Sequence, residues 1–293
     1  MPRILQSCGL GILIWALTAC SQSTLGEGPI DLRVRSQPAT VSNEQLNHWI
    51  ENGARAVSSY YGRFPVKRVI IDVSATADGH EIHGRTYAGR RIEMQLGPQV
   101  TPADLDDDWT MTHEMFHLAF PDMGNAHEWM NEGLSTYLEP VARTRIGVMP
   151  VERFWRETVE GLPKGQPERG DKGLDRTHTW GRTYWGGCMF WFLADIRIRE
   201  QTHGAKSLQD ALRAILDAGG DGSVEWTTDR VIQLGDAATG THVLKDLYGE
   251  MSTRPVTVDL NALWSRLGVK VEAGHVTFDD AAPLADVRRA ITR

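Results

Sequence analysis

The sequence predicts an α+β fold in which a small N-terminal sheet part is followed by a mainly helical part. Three observations carry this. Extended-looking segments cluster in the first hundred residues, helical apolar patterns fill most of the rest of the chain, and the two do not alternate as βαβ units would. The 293 residues suffice for one large domain with a buried core. A hydrophobic fraction of 41% with 24% charged residues excludes a disordered or fibrous chain. The net charge of −7 gives no general electrostatic reason to bind nucleic acid. Three cysteines are too few for a disulfide scaffold or a cysteine-rich metal module.

The chain opens with an address. One Arg, Arg3, precedes an apolar run from Leu10 to Leu17 that is too short to cross a bilayer but has the length of a signal-peptide core. It ends in Leu17-Thr18-Ala19-Cys20, which resembles the lipobox of bacterial lipoprotein signals. The resemblance implies cleavage before Cys20, leaving residues 1–19 as signal peptide, and acylation of Cys20 as a membrane anchor. The plainer alternative is an ordinary signal with a chance cysteine. Ser21 stands where Asp would resemble an inner-membrane retention signal, which points to the outer membrane facing the periplasm. With Cys8 removed and Cys20 lipidated, only Cys188 would remain as a side chain. Residues 20–40 are rich in Ser, Gly, Gln and Pro and read as a tether, and 41–293 as the folded domain, divided near residue 100.

Within that domain, Ser42 is placed to cap a helix over Glu44–Tyr60, with Leu46, Trp49, Ile50 and Val57 on one face. Val66–Val73 is β-branched and reads as a strand. After a Gly-rich turn, Arg91–Leu96 reads as a second one. Thr101-Pro102-Ala103-Asp104 has the form of a capping box opening a helix that runs to about Ala119, since Phe120 precedes Pro121. Helical patterns follow over 129–145, 183–201, 205–217 and 259–267. Residues 160–180 read as a long loop beside the site. Val269–Val271 and Val276–Phe278 suggest a hairpin before a last helix. The apolar run Tyr184–Ile196 is too short for a membrane span and reads as a buried helix.

The chemistry sits in His113-Glu114-Met115-Phe116-His117. Histidines four apart share one helical face, so both imidazoles can reach one metal ion, and Glu114 can face a water bound to it as general base. A satisfied pair of core histidines is the alternative, but each would then need its own hydrogen-bond partner. A hydrolytic zinc site commonly takes a third protein ligand and leaves one position open. His127, Glu128 and Glu132 are the candidates downstream. Phe120 and Met123 stand where a metzincin carries Gly and His, which excludes that branch.

The run Glu128-Trp129-Met130-Asn131-Glu132-Gly133 resembles the gluzincins, particularly the aminopeptidase N-like family, in which the HExxH helix is followed by W-x-N-E-G. The resemblance implies a thermolysin-like (gluzincin) metallopeptidase catalytic domain, Zn2+ as cofactor and Glu132 as the third ligand. Tyr184-Trp185-Gly186-Gly187 is similar to the family's Y-x-K-G, with Gly186 in place of Lys, which implies Tyr184 as donor to the developing oxyanion. Core packing is the alternative for Tyr184, and His178 is a further candidate donor. The family's G-x-M-E-N strand, whose Glu holds a substrate amine, has no match. Arg91-Ile92-Glu93-Met94-Gln95 occupies the strand expected there, with Glu93 as the acid that could serve. The resemblance covers about residues 102–200, in a chain far shorter than those enzymes. The choice between exo- and endopeptidase therefore stays open.

Trp109, Trp129, Trp155, Trp180, Trp185 and Trp191 fall in or near this region and suit core packing more than an aromatic cleft. The run Asp106-Asp107-Asp108 suits a helix N-terminus better than a cation site. The expected function is a membrane-anchored zinc peptidase acting on a peptide or protein. An adaptor or chaperone with a structural or vestigial zinc, and a zinc hydrolase of non-peptide bonds, are the alternatives. Glu114 argues against a vestigial site, which has no use for a base.

Overall fold

A computed structural model describes residues 23–25, 28–76 and 79–293. Cys20 and the leader lie outside the described residues. The N-terminal part is a five-stranded mixed sheet with one long helix against it. Its strands are β1 (Ser23–Leu25), β2 (Gly28–Val34), β3 (Val69–Ala75), β4 (Ile82–Tyr87) and β5 (Arg91–Leu96), in spatial order β1-β2-β3-β5-β4. The β2–β3 and β3–β5 pairs are parallel, and β4 runs antiparallel to β5 at the sheet edge. Helix α1 (Asn43–Tyr61) starts in a reciprocal capping box: Gln45 N donates to Ser42 Oγ, and Ser42 N donates to Gln45 Oε1 at 2.8 Å. Leu46, Trp49, Ile50 and Val57 are buried, as their spacing requires.

Two expectations for this part need correction. The segment read as tether carries β2, in register with β3 through Ile30 opposite Val69. Composition hid a period of two, in which Ile30 is buried and Asp31 turns outward to pair with Arg68 at 2.9 Å. The supposed turn before Arg91 contains strand β4, whose glycine-containing, polar sequence carries little strand signal. Gly84 is nevertheless required there, because a Cβ at that position would lie 2.5 Å from Glu114 Cγ.

The helix expected over 101–119 is two helices and a turn: α2 (Pro102–Asp107), α3 (Thr110–Phe116) and a 3-10 turn over His117–Ala119. Thr101 and Asp104 form the capping box at the start. Asp108 causes the break. It adopts an extended backbone, and its Oδ2 accepts from Met111 N at 3.0 Å and from Trp49 Nε1 at 2.9 Å. Of the aspartate run, Asp108 thus serves the start of α3, while Asp106 and Asp107 lie in the last turn of α2, where Asp107 pairs with Arg153.

The helical part comprises α4 (Glu128–Arg145), α5 (Val151–Gly161), α6 (Gly187–Gln201), α7 (Leu208–Asp217), α8 (Thr228–Thr239), α9 (Val243–Met251) and α10 (Leu260–Leu267). The hairpin of β6 (Val269–Glu272) and β7 (His275–Phe278) comes next, and α11 (Ala285–Ile291) ends the chain. Helices α5, α8 and α9 are additional to those the sequence predicts. Between α5 and α6 only short 3-10 turns interrupt the loop, until one π-helical turn over Gly181–Gly186. Among the described residues no helix is long and apolar enough to cross a membrane.

One contact positions the site. A Cβ on Gly133 would lie 2.2 Å from Gly187 C, and a Cβ on Gly187 would lie 2.1 Å from Trp129 O. Helices α4 and α6 therefore touch backbone to backbone, which only glycine permits. This brings the π turn carrying Tyr184 against the stretch of α4 that carries Glu132. Trp129, Trp155 and Trp191 are buried in the core around this crossing, as the packing reading expected, whereas Trp109 and Trp180 are exposed and do not pack in the core.

Candidate active site

Helix α3 presents His113, and its next turn presents His117, toward α4 across a narrow gap. His113 Nε2 lies 3.1 Å from Glu132 Oε2, and His117 Nε2 lies 3.6 Å from Glu132 Oε1. One ligand atom from each of the three residues falls within 4.8 Å of the others. Asn131 fixes this spacing: its Nδ2 donates to Pro121 O at 2.9 Å, and its Oδ1 accepts from Met123 N at 3.1 Å. The start of α4 is thereby tied to the segment that follows His117. Trp129 Nε1 donates to Asp175 Oδ1 at 2.9 Å and anchors the same turn from the other side.

Two imidazoles and a carboxylate converging with an open side are donor types that can hold a divalent metal ion. The outer layer is uneven. His117 Nδ1 is 3.4 Å from the buried Ser135 Oγ, whereas the buried His113 Nδ1 has no hydrogen-bond partner among the described residues. Burial acts to raise the Glu132 carboxyl, but hydrogen bonds and charge from the two imidazoles hold it well below the usual carboxylate range. Burial acts to lower His117, yet Glu132, Glu114 and Asp122 raise it above its ordinary value. The three side chains therefore form a polar cluster in the cleft whose donor atoms are close enough together to hold a divalent cation.

Glu114 lies between the helices and the sheet edge, almost fully buried. Thr86 Oγ1 is 2.7 Å from Glu114 Oε2 and 2.9 Å from Glu114 O, so the β4 hydroxyl holds the carboxylate from the sheet side. Gly84, two residues earlier on the same face, leaves the space this side chain fills. Tyr184 faces the cluster from the third side. Its ring stands 6.3 Å from that of His113, nearly parallel. Burial and the charges of Glu132 and Glu128 push its pKa up, so the phenol keeps its proton and remains a donor. These groups line a cleft of about 560 Å³ bounded by β4, α3, α4 and Gly222.

The structure thus brings together His113, Glu114, His117, Glu132 and Tyr184. It separates the remaining candidates. His127 contacts Tyr248 at 3.2 Å and Asp175 at 3.6 Å, away from the cluster. Glu128 lines the cleft without joining the donor set. His178 is exposed and lies outside the cleft lining, because its loop turns outward ahead of the π turn. Glu93 is paired with Arg91 at 2.8 Å on an inner strand. The strand bordering the cleft is β4, with His83-Gly84-Arg85-Thr86, in place of the Arg91–Gln95 segment expected there. Sequence reasoning missed Thr86 and Gly84, whose strand it did not recognise. Asn131 belongs to a motif legible in the sequence, but the tie it makes is visible only in three dimensions.

No protein-family model matches the chain. No curated protein matches it either. Solved structures do. An aminopeptidase N family protein from Idiomarina loihiensis superposes with a TM-score of 0.67 at 12% identity, over 86% of this chain and 49% of that one. An M1 zinc metallopeptidase from Deinococcus radiodurans gives 0.51 at 14%, over 81% and 53%. Aminopeptidase A from Legionella pneumophila, in complex with aspartic acid, gives 0.52 at 11%, over 78% and 26%. The chain spans about half the length of the first two and about a quarter of the third. The expected α+β class is the observed one: a small N-terminal sheet and a mainly helical remainder, a fold similar to that of these solved metallopeptidase structures.

Proposed function

We propose that the protein is a zinc-dependent peptidase. The reading rests on one observation above all: His113, His117 and Glu132 converge beside a carboxylate held by Thr86 and a protonated phenol, in an open cleft. His113, His117 and Glu132 would hold the metal. A zinc ion held there would supply Lewis acidity, making the attacking water more acidic and polarising the scissile carbonyl. Glu114 accepts the proton of the attacking water and passes it to the leaving amine. Thr86, donating to one carboxylate oxygen, keeps Glu114 in the orientation that serves both transfers. Tyr184 donates its hydroxyl to the negative oxygen that develops on the carbonyl. Burial of these groups strengthens each interaction relative to water.

The test is Glu114→Gln, assayed with casein and a peptide library read by mass spectrometry. Hydrolysis is expected to vanish while zinc remains at about one ion per chain, since the substitution leaves the donor set intact. Full activity in that variant would end the mechanism. We also propose attachment to a membrane through Cys20, supported by Leu17-Thr18-Ala19-Cys20. Cys20→Ala should move the protein from the membrane to the soluble fraction, and an unchanged membrane fraction would refute it.

A further inference from the structure

A second cavity, about 350 Å³ in volume, opens beside His113. It shares Trp109, His113 and Tyr184 with the catalytic cleft, so a chain lying in the cleft would pass its mouth. Its walls are the apolar faces of Tyr137, Pro140, Phe154 and Trp185. The charged groups that line it are already matched. Arg143 Nη1 bonds Glu139 Oε1 at 2.7 Å, and Arg153 pairs with Asp107 and Glu157. A charged side chain entering would lose its water and meet no free counter-charge, whereas an apolar one meets walls it can pack against.

The mouth gives an independent indication. Trp180 and Trp109, 61% and 52% exposed, are the two most exposed large apolar side chains among the described residues. Both border this cavity. Trp180 stacks on Tyr184 with centroids 6.0 Å apart, and Trp109 meets the His113 ring edge-on at 5.3 Å. Two indoles held in solvent at one opening form an apolar rim whose burial would be favourable, and aromatic partners suit such a rim best.

We propose that this cavity is the specificity pocket of the enzyme, receiving the side chain of one of the two residues that flank the scissile bond. It selects aromatic and large aliphatic side chains. This rests on the peptidase reading above and names the substrate class of the same site.

The experiment compares wild type, Trp180→Ala and Thr136→Phe on a peptide library, with melting temperature and zinc content measured for each. Thr136 lines the cavity, and a phenyl ring there fills it; Trp180 is exposed, so its loss leaves the fold intact. Wild type should favour Phe or Leu over Ala at one flanking position by about tenfold or more in kcat/KM. Thr136→Phe should reverse this toward Ala and Gly. Trp180→Ala should weaken cleavage at Phe about tenfold more than cleavage at Ala, lowering the Phe-over-Ala ratio by that factor. Cleavage without preference at either flanking position, or a preference unchanged in both folded, zinc-loaded variants, overturns the pocket and leaves the peptidase standing. If wild type cleaves nothing, the peptidase reading fails. Tryptophan fluorescence titrated with N-acetyl-phenylalaninamide and N-acetyl-alaninamide then decides the pocket alone. Saturable quenching by the first, lost in Thr136→Phe, supports an aromatic-binding pocket, and its absence in wild type overturns it.

Discussion

The two walls of the cleft are built differently. The helical wall takes its groups from α3, α4 and the turn before α6, locked by the Gly133–Gly187 contact and the Asn131 ties. The sheet wall is one edge strand, β4, bonded to β5 along a single side. The first wall brings three possible donors around one point; the second meets Glu114 through a hydroxyl and a missing side chain. The contrast teaches a division of labour. On the proposed reading, metal affinity would belong to the helical wall, and the orientation of the base to the sheet wall. Substitutions in the two should therefore fail in different ways.

The largest effect is expected on the helical wall. His117→Ala removes one of three donors, and metal analysis should find stoichiometric zinc lost together with all activity. Metal retained at one ion per chain would refute the ligand set. On the sheet wall, Gly84→Ala should spare the metal but remove most of the activity, because the new Cβ would stand 2.5 Å from Glu114 Cγ and 2.9 Å from Thr110 Cγ2. A loss on the order of a hundredfold in kcat is expected, since small displacements of a catalytic group cost about that much. If zinc is lost as well, the division between the walls breaks down.

Thr86→Val is milder. It removes the hydroxyl 2.7 Å from Glu114 Oε2 and keeps the shape. A hydrogen bond to a charged group is worth roughly 1.5–3 kcal/mol, so kcat should fall about ten- to a hundredfold with KM little changed. Thr86→Ser, which restores the donor, should recover most of it. Equal losses in the Val and Ser variants would show that Thr86 matters for strand packing alone.

The two walls also differ in how far the sequence revealed them. His113, His117 and Glu132 announce themselves because a helix repeats every 3.6 residues and because metal chemistry restricts the residue types. Trp129, Asn131 and Gly133 add a motif around Glu132. Ser42 and Thr101 mark helix starts for equally local reasons, and both capping boxes are present. Strand β4 offers no such cue. Its glycine is there for Glu114, which belongs to a different element, and its Thr86 is an ordinary strand residue until α3 packs on it. Strand β2 is hidden by the Ser, Gly and Pro around it, since its parallel partner β3 lies beyond an intervening helix. Asp108, legible as a helix-start residue, splits a helix that periodicity joins. That split depends on Trp49, which the local pattern cannot supply. Long-range packing decides each of these points.

The smallest expected effect tests the helical wall without its metal. In the metal-free protein Glu132 is held below its ordinary value of 4.5 and His117 above its ordinary value of 6.5. A lowered carboxyl contributes stability that is present above about pH 4.5 and lost as pH falls through its folded value. A raised imidazole contributes stability that is complete below about pH 6.5 and lost as pH rises through its folded value. The His–Glu cluster should therefore stabilise the metal-free chain most between these limits. Zinc uptake runs the other way, strengthening as pH rises, because His117 must give up its proton to bind. Melting temperatures of metal-free wild type and metal-free Glu132→Gln should differ more at about pH 5.5 than at about pH 8.5. The expected change is a few degrees, about what 1 kcal/mol produces in a domain of this size. A difference that stays constant across this range would mean that the cluster is held by the helix crossing alone, with no contribution from the charges of its own side chains.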